Sequence, residues 1–382
     1  MHKVKRLKIE GFRRLNDVEI HMRPMMVMIG RNGVGKSSLL DAVSLLSASA
    51  SGTMNRSLSD MGGIADVMTR GRSETLSLAV SMDVPNYNPL EYSLYVEPKG
   101  QTYSIPKEML TQANPGYQGP FKHIESSHGD IRYFDIDTER LVKPEWEHSP
   151  LESSLSQVPK MFRQPEELRR VLSSVTQYHA LDVGSRAPVK LPQQMKPADL
   201  PGANGEDIVS FLYYLREADP EHFEIIEDAL QSAFPTFECL NFPPVAAGML
   251  SMTWKETSFS TPLYMHQLSE GTLRFLWLIA LLQSPGLSTV TMIDEPEVSL
   301  HPELLSLLVD LMREASQRTQ IIVATHSDRL IRFLEPKEVI VMDMDGDGLT
   351  TVKWADALDL DEWLKEYSLD EVWRLGRMGG RA

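Results

Sequence analysis

The stretch GRNGVGKSS, Gly30 to Ser38, fits the spacing G-x-x-x-x-G-K-[ST]. The apolar run MMVMIG before it reads as a strand, and KSSLLDAVSLLSASA after it reads as a helix. A strand, a glycine loop and a helix in that order make an anion cradle. Glycines let the main chain curl until its N–H groups converge, and the helix N-terminus adds partial positive charge. Gly30, Arg31, Asn32, Gly33, Val34, Gly35, Lys36, Ser37 and Ser38 are therefore candidate phosphate contacts. Lys36 is expected to reach the β- and γ-phosphates of a nucleotide, and Ser37 to ligand Mg2+. The bland alternative is an ordinary glycine-rich turn.

Two further stretches repeat the layout of an apolar strand ending in a polar group. STVTMIDEPEVSLHPELL places Asp294 and Glu295 at the end of a β-branched run. Carboxylates at the C-terminal ends of parallel strands lie where α/β sheets bind ligands. Asp294 is expected to hold the Mg2+ shell, and Glu295 to orient or activate an attacking water. An acidic helix start is the competing reading. IIVATHSDRL ends the next strand in His326, which is expected to hydrogen-bond a γ-phosphate or the water. A lone histidine is more often structural.

These stretches sit in a chain of 382 residues, 42% hydrophobic and 24% charged, which is ordinary for a globular protein with a large core. No apolar run approaches the ~20 residues of a membrane span, and no secretory leader is visible. The single cysteine, Cys239, excludes an internal disulfide or a cysteine-rich zinc site. A cytoplasmic location without membrane partners is expected. The net charge of −15 argues against bulk coating of nucleic acid. Residues 1–40 are nonetheless basic, with nine Lys/Arg against three acids, and residues 341–371 are acidic.

The order of elements predicts an α/β fold. VKRLKIEGF reads as a strand and RRLNDVEIHMRP as a connection. ETLSLAVSMDV and LEYSLYVEP read as a strand pair, while Pro98 to about Pro165 reads as loop-heavy. QPEELRRVLSSV, EDIVSFLYYLREA and EHFEIIEDALQSAF read as helices. DMDGDG matches half of a calcium loop, but Trp354 stands where a glutamate is needed, so a hairpin is expected. His123 and His128 lack a third ligand at metal spacing. Leu360, Trp363, Leu364 and Tyr367 fall on one helical face, expected to dock on the chain's own core or on a partner.

In their order these pieces resemble the ABC-type ATPases of the RecF/SMC group. GRNGVGKS is similar to their Walker A motif, LSEGT to their signature, TMIDEP to their Walker B motif, EVSLHP to their D-loop and ATHS to their switch histidine. LKIEGFRRLNDVEI is similar to their first strands. IDEPEVSLHPELL, NGEDIVSFLYYL and YSLDEVWRLGRMGG resemble prokaryotic ATPases related to the overcoming-lysogenisation-defect group, some of which act in phage defence. The resemblance implies a P-loop NTPase of ABC-ATPase type that binds ATP and Mg2+ and dimerises head-to-tail. Ser269, Glu270 and Gly271 would then contact the nucleotide held by the other copy. The implied organisation is an N-terminal lobe (1–98), a globular, partly helical insertion (99–245) and a C-terminal lobe (246–382). More than two hundred residues separate Lys36 from Ser269, without heptads or a C-x-x-C hook, so no coiled coil is expected. The Q-loop glutamine has no clear place.

The leading expectation is an ATPase switch in DNA maintenance or antiviral defence, acting on DNA or on a nuclease or toxin effector. The alternative is a slow-turnover, ATP-binding scaffold of such a complex. A GTPase or small-molecule kinase would leave LSEGT unexplained and should show an N-K-x-D-type motif. A transporter subunit would need a membrane partner. Taken alone, Ser269 and Gly271 suit a helix cap in any protein.

Overall fold

The computed structural model describes residues 3–114, 119–135 and 138–379. Two sheets organise them. The first is parallel through five strands, in the order Thr176–Tyr178, Val290–Asp294, Gln320–Ala324, Met25–Ile29 and Val339–Met344, with Thr350–Trp354 antiparallel at the far edge. The second has eight antiparallel strands, ordered Leu15–His21, Lys3–Phe12, Leu76–Val84, Tyr87–Lys99, Thr102–Gln112, Phe121–Ser127, Asp130–Asp135 and Arg140–Val142.

Strand Met25–Ile29 is buried at every position, as a strand covered on both faces must be. Side chains alternate along it. Met25, Val27 and Ile29 enter a core with the C-terminal helices, and Met26 and Met28 enter a core with the antiparallel sheet. Helix Lys36–Ser51 packs on helix Arg163–Ser173 in that second core. Helix Glu270–Leu282 is buried from Phe275 through Leu282, because its sequence is apolar on every side. A side-chain amide joins the sheets: Gln320 donates to the Val4 carbonyl at 2.9 Å and accepts from the Val4 amide at 2.8 Å.

The α/β class, the flanking strand and helix of the glycine loop, and the three mid-chain helices form as expected, as Arg163–Ser173, Ile208–Ala218 and Pro220–Ala233. DMDGDG lies in a hairpin turn, where the Asp345 carboxylate accepts from the Asp347 and Leu349 amides, each at 2.9 Å. Three readings are corrected. Leu15–His21 is not a connection but a strand paired with Lys3–Phe12. The stretch expected to be loop-heavy supplies four strands, Thr102–Gln112, Phe121–Ser127, Asp130–Asp135 and Arg140–Val142. Leu360, Trp363 and Leu364 pack on the C-terminal core without forming one helix, while Tyr367 stays exposed. Ser368 begins a separate short helix, Leu369–Arg374, through a capping box with Glu371.

Candidate active site

The parallel strands end in register. Asp294 lies opposite Ala324, and Ala324 opposite Met28. Whatever follows each strand is therefore brought to one edge of the sheet. The glycine loop after Met25–Ile29 is fixed by its surroundings. A Cβ on Gly30, at φ +151°, would meet the Met342 carbonyl oxygen at 2.3 Å. A Cβ on Gly35, at φ +111°, would meet the Thr350 hydroxyl at 2.8 Å, and that hydroxyl donates to the Val34 carbonyl at 2.7 Å. Only glycine fits either place. Gly35 also caps helix Lys36–Ser51 without any side-chain bond. The first-turn amides are thus left to a ligand, with the positive end of the helix behind them.

Lys36 is buried. Its Nζ donates to the Gly30 carbonyl at 2.6 Å and the Arg31 carbonyl at 3.1 Å, and lies 3.2 Å from His326 Nδ1. Burial lowers its pKa to about 8, against the opposing pull of Glu295 and Asp294. A pocket of about 210 Å³ opens over Gly33, Lys36, Ser37 and His326. Arg13 and Arg14 line it too. They form the two-residue turn between Lys3–Phe12 and Leu15–His21, since Phe12 pairs with Leu15 and Arg13 has φ +49°. Arg13 Nη1 bonds Asp41 Oδ2 at 2.5 Å and Arg14 Nη1 the Gly348 carbonyl at 2.6 Å. In the sequence they count only toward a basic N-terminus; the signal that could have placed them is an Arg pair at the tip of a hairpin.

Asp294 ends its strand half-buried. Burial, then the neighbouring Glu295, raises its pKa, while His179 and His326 pull it back. Glu295 follows in the left-handed region at φ +51°, its amide bonded to the Ala324 carbonyl at 2.8 Å. Such a conformation at a non-glycine residue is uncommon and costs energy. It turns Glu295 toward His326, whose Nε2 lies 3.7 Å from the carboxylate. Burial and the Lys36 ammonium lower the His326 pKa, which favours a neutral imidazole. The strand Thr176–Tyr178 adds a residue that the sequence did not reveal. His179 follows it, with Nδ1 3.7 Å from Asp294 Oδ2. Its strand is too short to stand out by pattern.

Ser269, Glu270 and Gly271 do not line this pocket. Ser269 caps helix Glu270–Leu282, its exposed hydroxyl accepting from the Thr272 amide at 3.1 Å. Gly271 rides on the loop after Glu295: a Cβ there would meet the Ser299 carbonyl oxygen at 2.7 Å. Arg274, one turn further, donates to the Val298 carbonyl at 3.4 Å. Lys36, Asp294, Glu295 and His326 are thus brought together within one chain, and the signature residues face outward beside them.

Two solved structures with this fold are SMC heads. One, described as the SmcHead bound to the C-winged helix domain of ScpA, is 15% identical with a TM-score of 0.56, and the match covers 92% of this chain and 97% of that one. The other, an SMC head domain with an extended coiled coil bound to the C-terminal domain of ScpA and derived from Pyrococcus furiosus, is 12% identical with a TM-score of 0.55, covering 96% and 98%. No curated protein sequence matches the chain. Among the described residues no helix is long and apolar enough to cross a membrane. Residues 25–332, which carry the glycine loop, LSEGT, Asp294, Glu295 and His326, match the family model described as "AAA domain, putative AbiEii toxin, Type IV TA system". On this match the chain belongs to that AAA-domain family, and it carries the ABC-type P-loop ATPase fold of the SMC heads.

Proposed function

We propose that the chain is an Mg2+-dependent ATPase that closes head-to-tail on ATP and uses hydrolysis to reset a switch on an effector protein. The observation that carries this reading is the convergence of Lys36, Asp294, Glu295 and His326 at the ends of adjacent parallel strands, over a glycine loop whose following helix starts without a side-chain cap.

The metal fits the residues present. The Ser37 hydroxyl and the Asp294 carboxylate are hard oxygen donors of the kind Mg2+ takes alongside phosphate oxygens. Among the described residues no group of three or more His, Cys, Asp or Glu could hold a metal by itself. Burial, and after it the charge of Glu295, raises the Asp294 pKa, and a cation would relieve both. When bound, Mg2+ supplies charge neutralisation between the phosphates.

The chain's own groups do the rest. The loop amides and the Lys36 ammonium bind and orient the triphosphate. Glu295 accepts a proton from the attacking water, and neutral His326 holds that water or a γ-phosphate oxygen by one nitrogen. Arg13 and Arg14 add positive charge at the pocket rim. Ser269, Glu270 and Gly271 of a second copy complete the γ-phosphate shell. Between DNA and an effector protein as the regulated partner, the protein is favoured. Lys5, Arg6, Lys8, Arg13 and Arg23 each face a carboxylate, at distances from 2.5 to 3.0 Å, so the basic N-terminal sequence is largely neutralised in the fold. The family's description as a type IV toxin–antitoxin system points to a defence setting.

The test is Glu295→Gln with ATP and Mg2+ in light scattering. A dimer is expected, with phosphate release reduced roughly 10²–10⁴-fold. A monomer would remove the head-to-tail reading. ATP binding by the unmodified chain without phosphate release would leave a nucleotide-binding scaffold.

A further inference from the structure

Glu297 lies two residues beyond Glu295, in the loop that leaves strand Val290–Asp294. Its side chain crosses to the end of the neighbouring strand. Thr325, fully buried, donates its hydroxyl to Glu297 Oε1 at 2.5 Å. That hydroxyl accepts in turn from the Ser327 amide at 2.9 Å. His326 thus sits between two residues tied to one acid, Thr325 directly and Ser327 through the Thr325 hydroxyl.

Glu108, fully buried, separates a structural role from this one. Glu108 uses both oxygens: Oε1 accepts from the Leu155 amide at 2.8 Å and the Tyr92 hydroxyl at 3.0 Å, and Oε2 from the Ser154 amide at 2.6 Å. Glu297 Oε2 is buried with no partner among the described residues. A half-satisfied buried carboxylate costs stability, and an apolar residue would pack there more cheaply. Its benefit must lie in what Oε1 holds. The imidazole of His326 has Lys36 3.2 Å from one nitrogen and Glu295 3.7 Å from the other. Those spacings depend on the backbone of residues 325–327, and Glu297 fixes it.

We propose that Glu297 is the positioning residue for His326, clamping the switch loop to the loop that carries Glu295. The assignment rests on His326 serving an ATP-hydrolysing site. The clamp has a second end. The main chain directly after Glu297 accepts from Arg274 at Val298 and supports Gly271 at Ser299. A shift of the signature helix therefore reaches His326 through Glu297.

The experiment compares Glu297→Ala, Glu297→Gln and Thr325→Val, alone and combined with His326→Ala. Glu297→Ala and Thr325→Val should each lower kcat for ATP roughly tenfold to hundredfold, as loss of outer-shell partners does elsewhere, with KM little changed. Glu297→Gln keeps the acceptor oxygen and should recover most of the rate. In the His326→Ala background neither Glu297→Ala nor Thr325→Val should cost anything more. Without nucleotide, the imidazole NMR resonances of His326 should move in Glu297→Ala and Thr325→Val and stay in place in Glu297→Gln. Additive losses on His326→Ala, or unmoved His326 resonances, would overturn the assignment. If the unmodified chain releases no phosphate, the ATPase reading fails, and the nucleotide-free spectra still decide the clamp.

Discussion

Two helix N-termini serve the proposed site, and they are built in opposite ways. Helix Lys36–Ser51 starts at Gly35 in the left-handed region with no side-chain cap. Helix Glu270–Leu282 starts at Ser269, whose hydroxyl already accepts from the Thr272 amide. The first is unfinished and needs an anion to satisfy its amides. The second is finished within the single chain. Its hydroxyl is exposed, and in the proposed dimer it exchanges that bond for a phosphate held by the other copy. The difference separates a residue that binds from a residue that joins.

Substitutions at the two ends can break this comparison. Lys36→Ala should have the largest effect. Removing one member of a desolvated charge pair costs about 2–5 kcal/mol, which corresponds to a loss of roughly thirtyfold or more in ATP affinity by calorimetry. Ser269→Arg should leave that affinity nearly unchanged while abolishing ATP-induced dimerisation and turnover. Equal loss of binding in both variants would erase the distinction. Gly271→Ala presses a methyl onto the Ser299 carbonyl and should destabilise the fold by about 1–3 kcal/mol, read by denaturant titration. Ser269→Ala removes the cap and should cost about 1 kcal/mol of stability.

Proton uptake sharpens the same contrast with a smaller signal. Free Lys36 has a pKa of about 8, so it is charged below that pH and neutral above it. Phosphates favour the charged form and raise the pKa back toward its ordinary value. ATP binding near pH 8 to 9 should therefore take up protons, and affinity should fall as pH rises through that window. Calorimetry in two buffers with different ionisation heats measures the uptake. Ser269→Ala should leave it unchanged.

The phosphate loop was legible because its chemistry is local: glycine spacing, a lysine and a hydroxyl on one short segment. Asp294, Glu295 and His326 were legible because each follows a short apolar run. The antiparallel sheet was not. In Thr102–Gln112 the inward positions are Tyr103, Pro106, Glu108 and Leu110. A proline and a buried acid among them break the alternation that marks a strand. Glu108 is tolerated there because two amides and a hydroxyl from elsewhere in the chain satisfy it, and that is tertiary information. His179 and Arg13 joined the site for the same kind of reason. Sheet order places them, through pairing with Val290–Asp294 and with Leu15–His21, respectively.

The single strand Met25–Ile29 supplies side chains to both cores in alternation. Neither core can lose its ordered packing without unfastening the strand that the other needs. The chain should therefore unfold as one cooperative unit, with fluorescence and circular dichroism transitions superimposed in urea. Cutting it into two fragments would leave one of them without its central strand, so the halves should fold only when mixed.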